Sequence, residues 1–231
     1  MTLTAVALTD IGRIRNRNED SFLLDPDASL FAVADGMGGH AAGDVASQTA
    51  IAAFAAAFSE TRSLIVALQS ANRAVIERGV AEPGKAGMGT TLTAVHIMGR
   101  SMLVGHVGDS RLYRLRSHSL QQLTRDHTVA EEMIARGALT RIDAMQHPAN
   151  SILTRSLGSR AEVEVDELRE DLESGDVLLL CSDGLTAMVT DDELLTILAQ
   201  SSSLEERARD LIGAANSRGG VDNITVLLIG V

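Results

Sequence analysis

The chain has 231 residues and a net charge of −11, from 20 Lys and Arg against 31 Asp and Glu. This acidity argues against nucleic acid or an anionic membrane as the main partner, because phosphate groups are held by clustered basic side chains. Aromatic residues make up only 2% of the chain, which leaves little surface on which bases could stack. The 45% hydrophobic content and the absence of a Pro-rich or Gly/Ser-rich linker predict one globular domain over residues 1–231.

The cysteine content and the apolar runs bear on where the protein resides. A single cysteine, Cys181, excludes an internal disulfide and is typical of a reducing compartment. The first residues contain neither a basic segment nor an apolar segment of signal-peptide length, and no apolar run approaches the length of a membrane span. We therefore expect a soluble cytoplasmic protein that is a monomer.

Apolar and β-branched runs predict strands along most of the chain. The run at 30–34 is continuously apolar, as expected for a strand that is covered on both faces. A turn at 99–100 joins two of the runs into a hairpin, and a third strand follows directly. The predicted strands are residues 3–8, 21–24, 30–34, 90–98, 102–107, 111–115, 176–181 and 224–229.

Helical periodicity occupies the gaps, with Ile51, Phe54 and Phe58 on one apolar stripe of the first helix. The three consecutive central strands form a meander, which disfavours a purely parallel doubly wound sheet. We therefore predict an α+β protein with antiparallel or mixed sheets and helices packed outside. A poorly patterned stretch at 137–158 has the length of a functional lid. The predicted helices are residues 41–58, 64–79, one that begins at 191, and 204–216.

Acidic residues stand at the ends of several predicted strands. Asp35 and Asp183 each follow an apolar strand and precede a glycine, whereas Asp20 and Asp222 stand at the start of strands. Since the end of one strand lies beside the start of an antiparallel neighbour, these four acids are expected to meet at one edge of the sheets. Each Asp-Gly pair alone is also typical of a simple turn, and it is the coincidence of several that favours a site.

Carboxylates that share a partly buried pocket repel one another unless cations or protons separate them. Mg²⁺ or Mn²⁺ suits a few carboxylates with waters, and the glycine at Gly36 lets a backbone carbonyl approach as a further ligand. Arg15, four residues before Glu19, could grip phosphate oxygens. A paired-metal site of this kind predicts phosphoester hydrolysis, with a metal-bound water as nucleophile.

Short motifs in a fixed order make the chain similar to a known family. The chain resembles the metal-dependent serine/threonine protein phosphatases, the protein phosphatase 2C family, in its bacterial form. The motifs span nearly the whole chain. They are residues 12–20 (GRIRNRNED), 33–40 (VADGMGGH), 89–91 (GTT), 107–111 (VGDSR), 123–127 (LTRDH), 150–158 (NSILTRSLG), 181–185 (CSDGL) and 222–225 (DNIT).

The resemblance implies a four-layer α-β-β-α sandwich, in which two stacked, mainly antiparallel sheets are flanked by helix pairs. It implies hydrolysis of phosphoserine and phosphothreonine by attack of a metal-bridging water. The expected cofactors are Mg²⁺ or Mn²⁺, with two core ions and a third. The expected partners are phosphorylated proteins, such as a serine/threonine kinase or its targets. The stretch at 137–158 matches the variable flap of the family.

The resemblance also implies roles for individual residues. The catalytic acids would be Asp35, which bridges two metals, and Asp183 and Asp222, which bind one of them. The carbonyl of Gly36 would bind the other ion, and Asp126 would bind a third ion together with Asp183. Water-mediated contacts to metal are implied for Glu19 and Asp20, and Arg15 would hold the substrate phosphate. His40 is a further candidate as a general acid, although relatives in eukaryotes carry the histidine directly after the Asp-Gly pair.

Other interpretations of the same residues lead to different functions. Residues 36–41 fit a loose dinucleotide-binding fingerprint with Glu60 about 20 residues on, but no strand is predicted before that acid. Residues 79–86 nearly match a P-loop, yet Ala86 replaces the metal-binding hydroxyl. The chain could also be an inactive phosphatase-like binding module.

Two further residue groups invite a chemical role. A thiol phosphatase would need Arg six residues after Cys181, where Ala187 stands, so Cys181 is interpreted as a small buried residue. Asp109 and Arg111 are interpreted as braces of the central hairpin rather than as ligands.

Overall fold

The computed structural model describes residues 3–38, 42–144 and 147–231. Eleven strands occupy the described ranges, and every pairing between them is antiparallel. In chain order they are β1 (Thr4–Asp10), β2 (Asp20–Asp25), β3 (Leu30–Met37), β4 (Gly89–Thr90), β5 (Leu92–Met98), β6 (Ser101–Val107), β7 (Arg111–Arg116), β8 (Ser119–Gln122), β9 (Asp166–Asp171), β10 (Val177–Cys181) and β11 (Ile224–Gly230).

The strands form two sheets. The first has the order β1-β11-β10-β7-β8, and the second has the order β2-β3-β5-β6-β9 with β4 paired to the end of β3. The helices in chain order are α1 (Gly43–Thr61), α2 (Leu64–Ala81), α3 (Val129–Ala135), α4 (Arg141–Ala144), α5 (Asp183–Thr186), α6 (Asp191–Leu198) and α7 (Leu204–Ser217), with a 3₁₀ turn at Pro148–Ser151. Among the described helices, none combines the length and apolar composition needed to cross a membrane.

Three apolar layers hold the sheets and helices together. Helices α1 and α2 cover the second sheet with Phe54, Phe58 and Leu68. Helices α6 and α7 cover the first sheet with residues such as Leu194 and Leu211. Between the sheets lies a third apolar layer, which gives the predicted α-β-β-α sandwich. Its central members are Phe31, Val33, Val95, Val104, Leu178, Leu180, Leu227 and Ile229.

The predicted strands and long helices are present, whereas two strands were missed. Strands β8 and β9 are polar and lie at the outer edges of their sheets. Edge strands carry polar side chains because they are solvated on one side, so the apolar pattern that marks inner strands is weak there. The segment predicted as a lid, residues 137–158, contains helix α4 and the 3₁₀ turn. Its last part, residues 152–157, makes backbone hydrogen bonds to Thr90, His127 and Val129.

The long helices contradict two of the alternative interpretations. A dinucleotide-binding unit requires a strand before Glu60, but helix α1 runs through that position. A P-loop requires a strand before Gly79, but helix α2 extends to Ala81.

Candidate metal centre

Strand ends that carry carboxylates are neighbours in both sheets. In the second sheet Asp20, the first residue of β2, pairs directly with Asp35 near the end of β3. In the first sheet Cys181, at the end of β10, pairs with Arg111 on one side and Val226 on the other. The ends of β7, β10 and β11 therefore lie at one edge, and an acid stands two residues beyond each. These acids are Asp109, Asp183 and Asp222.

The carboxylates of the two sheets form one group, called here the acid cluster, which consists of Asp20, Asp35, Asp109, Asp183 and Asp222. Burial raises the pKa of Asp35 well above its usual range, and the charges of Asp20 and Asp183 raise it further. A hydrogen bond between the carboxyls of Asp35 and Asp183 raises the pKa of Asp35 in addition. Without cations, such a cluster retains protons because ionised acids at this spacing repel one another.

Two carboxylate oxygens in the acid cluster are buried without a hydrogen-bond partner, namely Asp20 Oδ1 and Asp183 Oδ1. The other oxygen of Asp20 is satisfied, because Oδ2 accepts from Ser182 Oγ at 2.7 Å and from Thr225 Oγ1 at 2.6 Å. An unpaired buried carboxylate oxygen is costly, and oxygens of this kind are the ligands that Mg²⁺ and Mn²⁺ prefer. The residues present therefore fit a divalent metal centre.

Close packing around Gly36 leaves no room for a side chain. A Cβ at this position would lie 2.1 Å from the carbonyl oxygen of Gly43 and 2.5 Å from that of Glu19. Gly36 N donates to Glu19 O at 3.1 Å, and Glu19 N donates to Asn223 Oδ1 at 2.8 Å. The backbone of Gly36 is thereby held beside Glu19, a predicted site residue whose pKa is raised mainly by burial.

Arg15 reaches the acid cluster through Asp222. Its Nη2 donates to Asp222 Oδ2 at 2.6 Å, while half of the Arg15 side chain remains exposed. Arg15 and Asp222 therefore form an ion pair, and this oxygen of Asp222 is occupied by the guanidinium. Within the described residues, no three Asp, Glu, His or Cys side chains are grouped closely enough to enclose a metal ion by themselves.

Comparisons with known proteins agree with this geometry. The sequence matches the Protein phosphatase 2C family over residues 14–217. The chain belongs to the protein phosphatase 2C family. It is 43% identical to the serine/threonine phosphatase stp of Listeria monocytogenes, with 96% of this chain and 93% of that protein covered.

Solved structures of the family have the same fold. The Mycobacterium tuberculosis serine/threonine phosphatase PstP/Ppp superposes with a TM-score of 0.93 at 40% identity, covering 100% of this chain and 99% of that chain. The catalytic domain of PstP in complex with two manganese ions superposes with a TM-score of 0.89 at 38% identity, covering 99% and 97%. The four-layer fold expected from the resemblance is thereby confirmed.

One residue assigned by resemblance to the protein phosphatase 2C family lies in different surroundings. Arg111 Nε donates to both carboxylate oxygens of Asp126 at 3.0 Å, and Nη2 donates to Oδ2 at 2.7 Å. Gln122 Nε2 donates to the same carboxylate at 3.0 Å. Asp126 is therefore already paired with Arg111 in this structure. Asp109 is a further acid near Asp183, and its pKa is raised by burial and by the Asp183 charge.

Asp109, interpreted from the sequence as a brace of the central hairpin, is a buried member of the acid cluster, whereas Arg111 braces the segment that follows its hairpin through Asp126. The signal for Asp109 was present in the sequence, since it follows an apolar strand just as Asp35 does. Sequence periodicity does not reveal which of two nearby acids an arginine will neutralise.

Three further residues of this phosphatase chain were singled out in the sequence, namely Cys181, His40 and Asp183. Cys181 is fully buried, and burial raises the pKa of its thiol to about 12, which rules it out as a nucleophile at neutral pH. His40 lies outside the described residues. Asp183 follows strand β10, as expected, and is the first residue of helix α5.

Proposed function

We propose that this chain is a metal-dependent phosphatase that hydrolyses phosphoserine and phosphothreonine in proteins. The observation that carries the proposal is the acid cluster itself, with buried unpaired oxygens on Asp20 and Asp183 beside an arginine at its rim. Its relatives of known name are serine/threonine phosphatases, and one of them binds two manganese ions. An inactive binding module would not need to retain buried carboxylates that destabilise the metal-free fold.

The acid cluster supplies ligands for two core ions of Mg²⁺ or Mn²⁺. In this proposal Asp35, the Gly36 carbonyl, Asp183 and Asp222 would hold the ions. Glu19 and Asp20 would hold coordinated waters in place. When bound, the ions supply an activated water and the positive charge that in-line displacement at phosphorus requires.

A third ion is proposed between Asp183 and Asp109. Asp109 is 8% exposed, and after burial the charge of Asp183 is the largest cause that raises its pKa. Asp126 is less suited to the role because Arg111 already neutralises it with three hydrogen bonds.

Arg15 is proposed to bind the substrate phosphate after it has exchanged partners. In this structure its Nη2 is occupied by Asp222, and half of the side chain is exposed. If Asp222 served as a metal ligand, this donor would be free for a phosphate oxygen, which a guanidinium binds with its fork of two N–H donors. Metal loading and phosphate binding would therefore favour each other.

The proposed substrates are phosphorylated proteins, including a serine/threonine kinase or its targets. The acidic surface and the scarcity of aromatic residues support a protein rather than a nucleic-acid partner. We propose a cytoplasmic monomer, for which the single buried cysteine is the supporting feature.

The test is hydrolysis of para-nitrophenyl phosphate and of matched phosphothreonine and phosphotyrosine peptides with saturating Mn²⁺. We expect Asp183→Asn to lower kcat by more than roughly 100-fold. Mutation of a residue that only hydrogen-bonds to a metal ligand costs roughly 10- to 100-fold in activity, and Asp183 is proposed as a ligand itself. Removal of Mn²⁺ by a chelator should have the same effect on the unmodified chain.

The matched control is Asp210→Asn, which changes an exposed acid on helix α7 and should leave turnover unaltered. No turnover of any substrate by the unmodified chain would favour the binding module. Turnover of the phosphotyrosine peptide alone would overturn the substrate class.

A further inference from the structure

The imidazole of His127 lies between the loop that carries Asp109 and the last part of the flap. Its side chain is 5% exposed, and its ring packs against His106 with centroids 4.7 Å apart. This packing fixes the plane of the ring, so its two nitrogens face fixed partners. The mechanism proposed above gives this residue no role.

On one side, His127 holds the loop at 108–110. Gly108 N donates to His127 Nδ1 at 3.1 Å, and His127 N donates to Gly108 O at 2.8 Å. Gly108 has a φ of +112°, and a Cβ there would lie 2.5 Å from Thr91 Cγ2, so the backbone packs against Thr91 at a distance that only glycine allows. The loop is therefore positioned jointly by tight packing and by the imidazole, one residue before Asp109.

On the other side, His127 meets the flap through Asp166. His127 Nε2 lies 3.2 Å from Asp166 Oδ2, and Arg155 Nη1 donates to Asp166 Oδ1 at 2.6 Å. Thr154 N also donates to His127 O at 2.8 Å. Asp166 thus joins the imidazole to Arg155, which belongs to the last part of the flap and whose Nη1 also lies 3.2 Å from His127 Nε2.

The chemistry of the donors determines the tautomer of the ring. A backbone N–H only donates, so Nδ1 must be the bare acceptor, and the proton of the neutral ring stands on Nε2, where Asp166 accepts it. Each nitrogen therefore has one task that the other cannot perform.

We infer that His127 is a positioning residue that anchors both the flap and the acid cluster, with Nδ1 fixing the Asp109 loop and Nε2–H fixing the Asp166–Arg155 pair. The inference rests on the proposed function for its kinetic consequence. Turnover of every substrate should depend on the Nδ1 contact beside Asp109, whereas the Nε2 contact beside the flap should matter for a peptide more than for a small phosphoester.

Two substitutions separate the two tasks. Asparagine places an acceptor near the position of Nδ1 and has nothing at Nε2, whereas glutamine places a donor near Nε2 and has nothing at Nδ1. The variants His127→Asn and His127→Gln are therefore compared in the full chain. The matched controls are His118→Asn and His118→Gln, since His118 is an exposed histidine in the β7–β8 turn.

Hydrogen exchange of the metal-free protein is the first measurement. In H127Q the Gly108 amide should exchange about tenfold faster, the factor that corresponds to one lost hydrogen bond, while H127N keeps its protection. In H127N the faster exchange should instead appear at residues 152–157.

Steady-state kinetics is the second measurement. H127N should raise KM for a phosphothreonine peptide about tenfold with a smaller change in kcat, whereas H127Q should lower kcat for the peptide and for para-nitrophenyl phosphate alike. The Mn²⁺ concentration for half-maximal activity should rise in H127Q.

Equal behaviour of the two variants in exchange and in kinetics would overturn the assignment of one anchoring task to each nitrogen and leave His127 as packing only. Full protection of the Gly108 amide in H127Q would also overturn it. If the unmodified chain turns over no substrate, the exchange pattern still decides the two anchoring tasks, and only the proposed function fails.

Discussion

At the residue scale, Asp20 is the acid whose protonation depends most directly on the fold. Burial raises its pKa to about 7, from an ordinary value of 3.8, although hydrogen bonds from Thr225 and Ser182 oppose the rise. Between these two pH values the folded chain holds a proton that the unfolded chain releases. The contribution of Asp20 to stability is therefore present at low pH and is lost as the pH rises toward 7.

We predict that Asp20→Asn gains stability relative to the unmodified chain as the pH is raised from about 4 to about 7 without metal. The difference between the two proteins is the required quantity, because the buried rings of His106 and His127 have lowered pKa values and act in the opposite direction. Thermal unfolding in the presence of a chelator measures it, with Asp210→Asn as the control.

Addition of Mn²⁺ should reverse this order, because a cation stabilises the ionised acid that the asparagine variant lacks. A constant difference in melting temperature over the whole pH range would contradict the raised pKa.

At the element scale, Arg111 ties strand β7 to two neighbouring elements. Its guanidinium binds Asp126 in the segment before helix α3, and Nη1 donates to Tyr113 Oη at 2.9 Å. Tyr113 Oη in turn donates to Asp191 at the start of helix α6, at 3.0 Å. Asp126 therefore has a structural role that its neighbour in the acid cluster, Asp109, does not share.

We predict opposite effects for Asp126→Asn and Asp109→Asn. The first should lower the free energy of unfolding by about 2 kcal/mol, because Arg111 loses a charged partner. The second should not lower it in metal-free protein, because it removes a buried negative charge from the cluster. Urea denaturation with a chelator measures both.

Calorimetric titration with Mn²⁺ then tests the third ion in the same two variants. Asp109→Asn should bind one ion fewer than the unmodified chain, and Asp126→Asn should bind the same number. The reverse result would return Asp126 to the role first assigned by resemblance.

At the scale of the whole molecule, the two sheets share one apolar layer, and the acid cluster lies where both sheets end. Leu180 of β10 is fully buried in that layer together with Phe31 and Val33 of β3. Neither sheet can lose its partner without exposing this layer. We therefore propose that residues 1–231 form a single folding unit.

This proposal predicts that Leu180→Ala lowers the stability of both halves together, by about 2–5 kcal/mol. Tyr113, the only tyrosine and a residue of the first sheet, reports on one half through its fluorescence. Far-UV circular dichroism reports mainly on the long helices α1 and α2, which cover the second sheet.

The two signals should change at the same urea concentration in both proteins. Val80→Ala is the matched control, because Val80 is 81% exposed and its loss should change stability by no more than about 0.5 kcal/mol. Separate transitions would divide the chain into two domains.

The sequence by itself determined the inner strands, the long helices and the acids at the strand ends. These features are local, because an apolar run or a helical stripe is visible within one short segment. It also determined that Asp20, Asp35, Asp183 and Asp222 meet, since antiparallel pairing places strand ends of opposite direction side by side.

Only the tertiary structure decided which charged groups pair. Asp109 and Asp126 both follow from the sequence as acids near strand β7, but Arg111 neutralises one of them and leaves the other to the acid cluster. The tertiary structure likewise decided where the polar edge strands β8 and β9 pair and which two groups the imidazole of His127 contacts. The physical reason is that a side chain pairs with whatever the fold brings within about 3 Å, and that distance is not encoded in any local pattern.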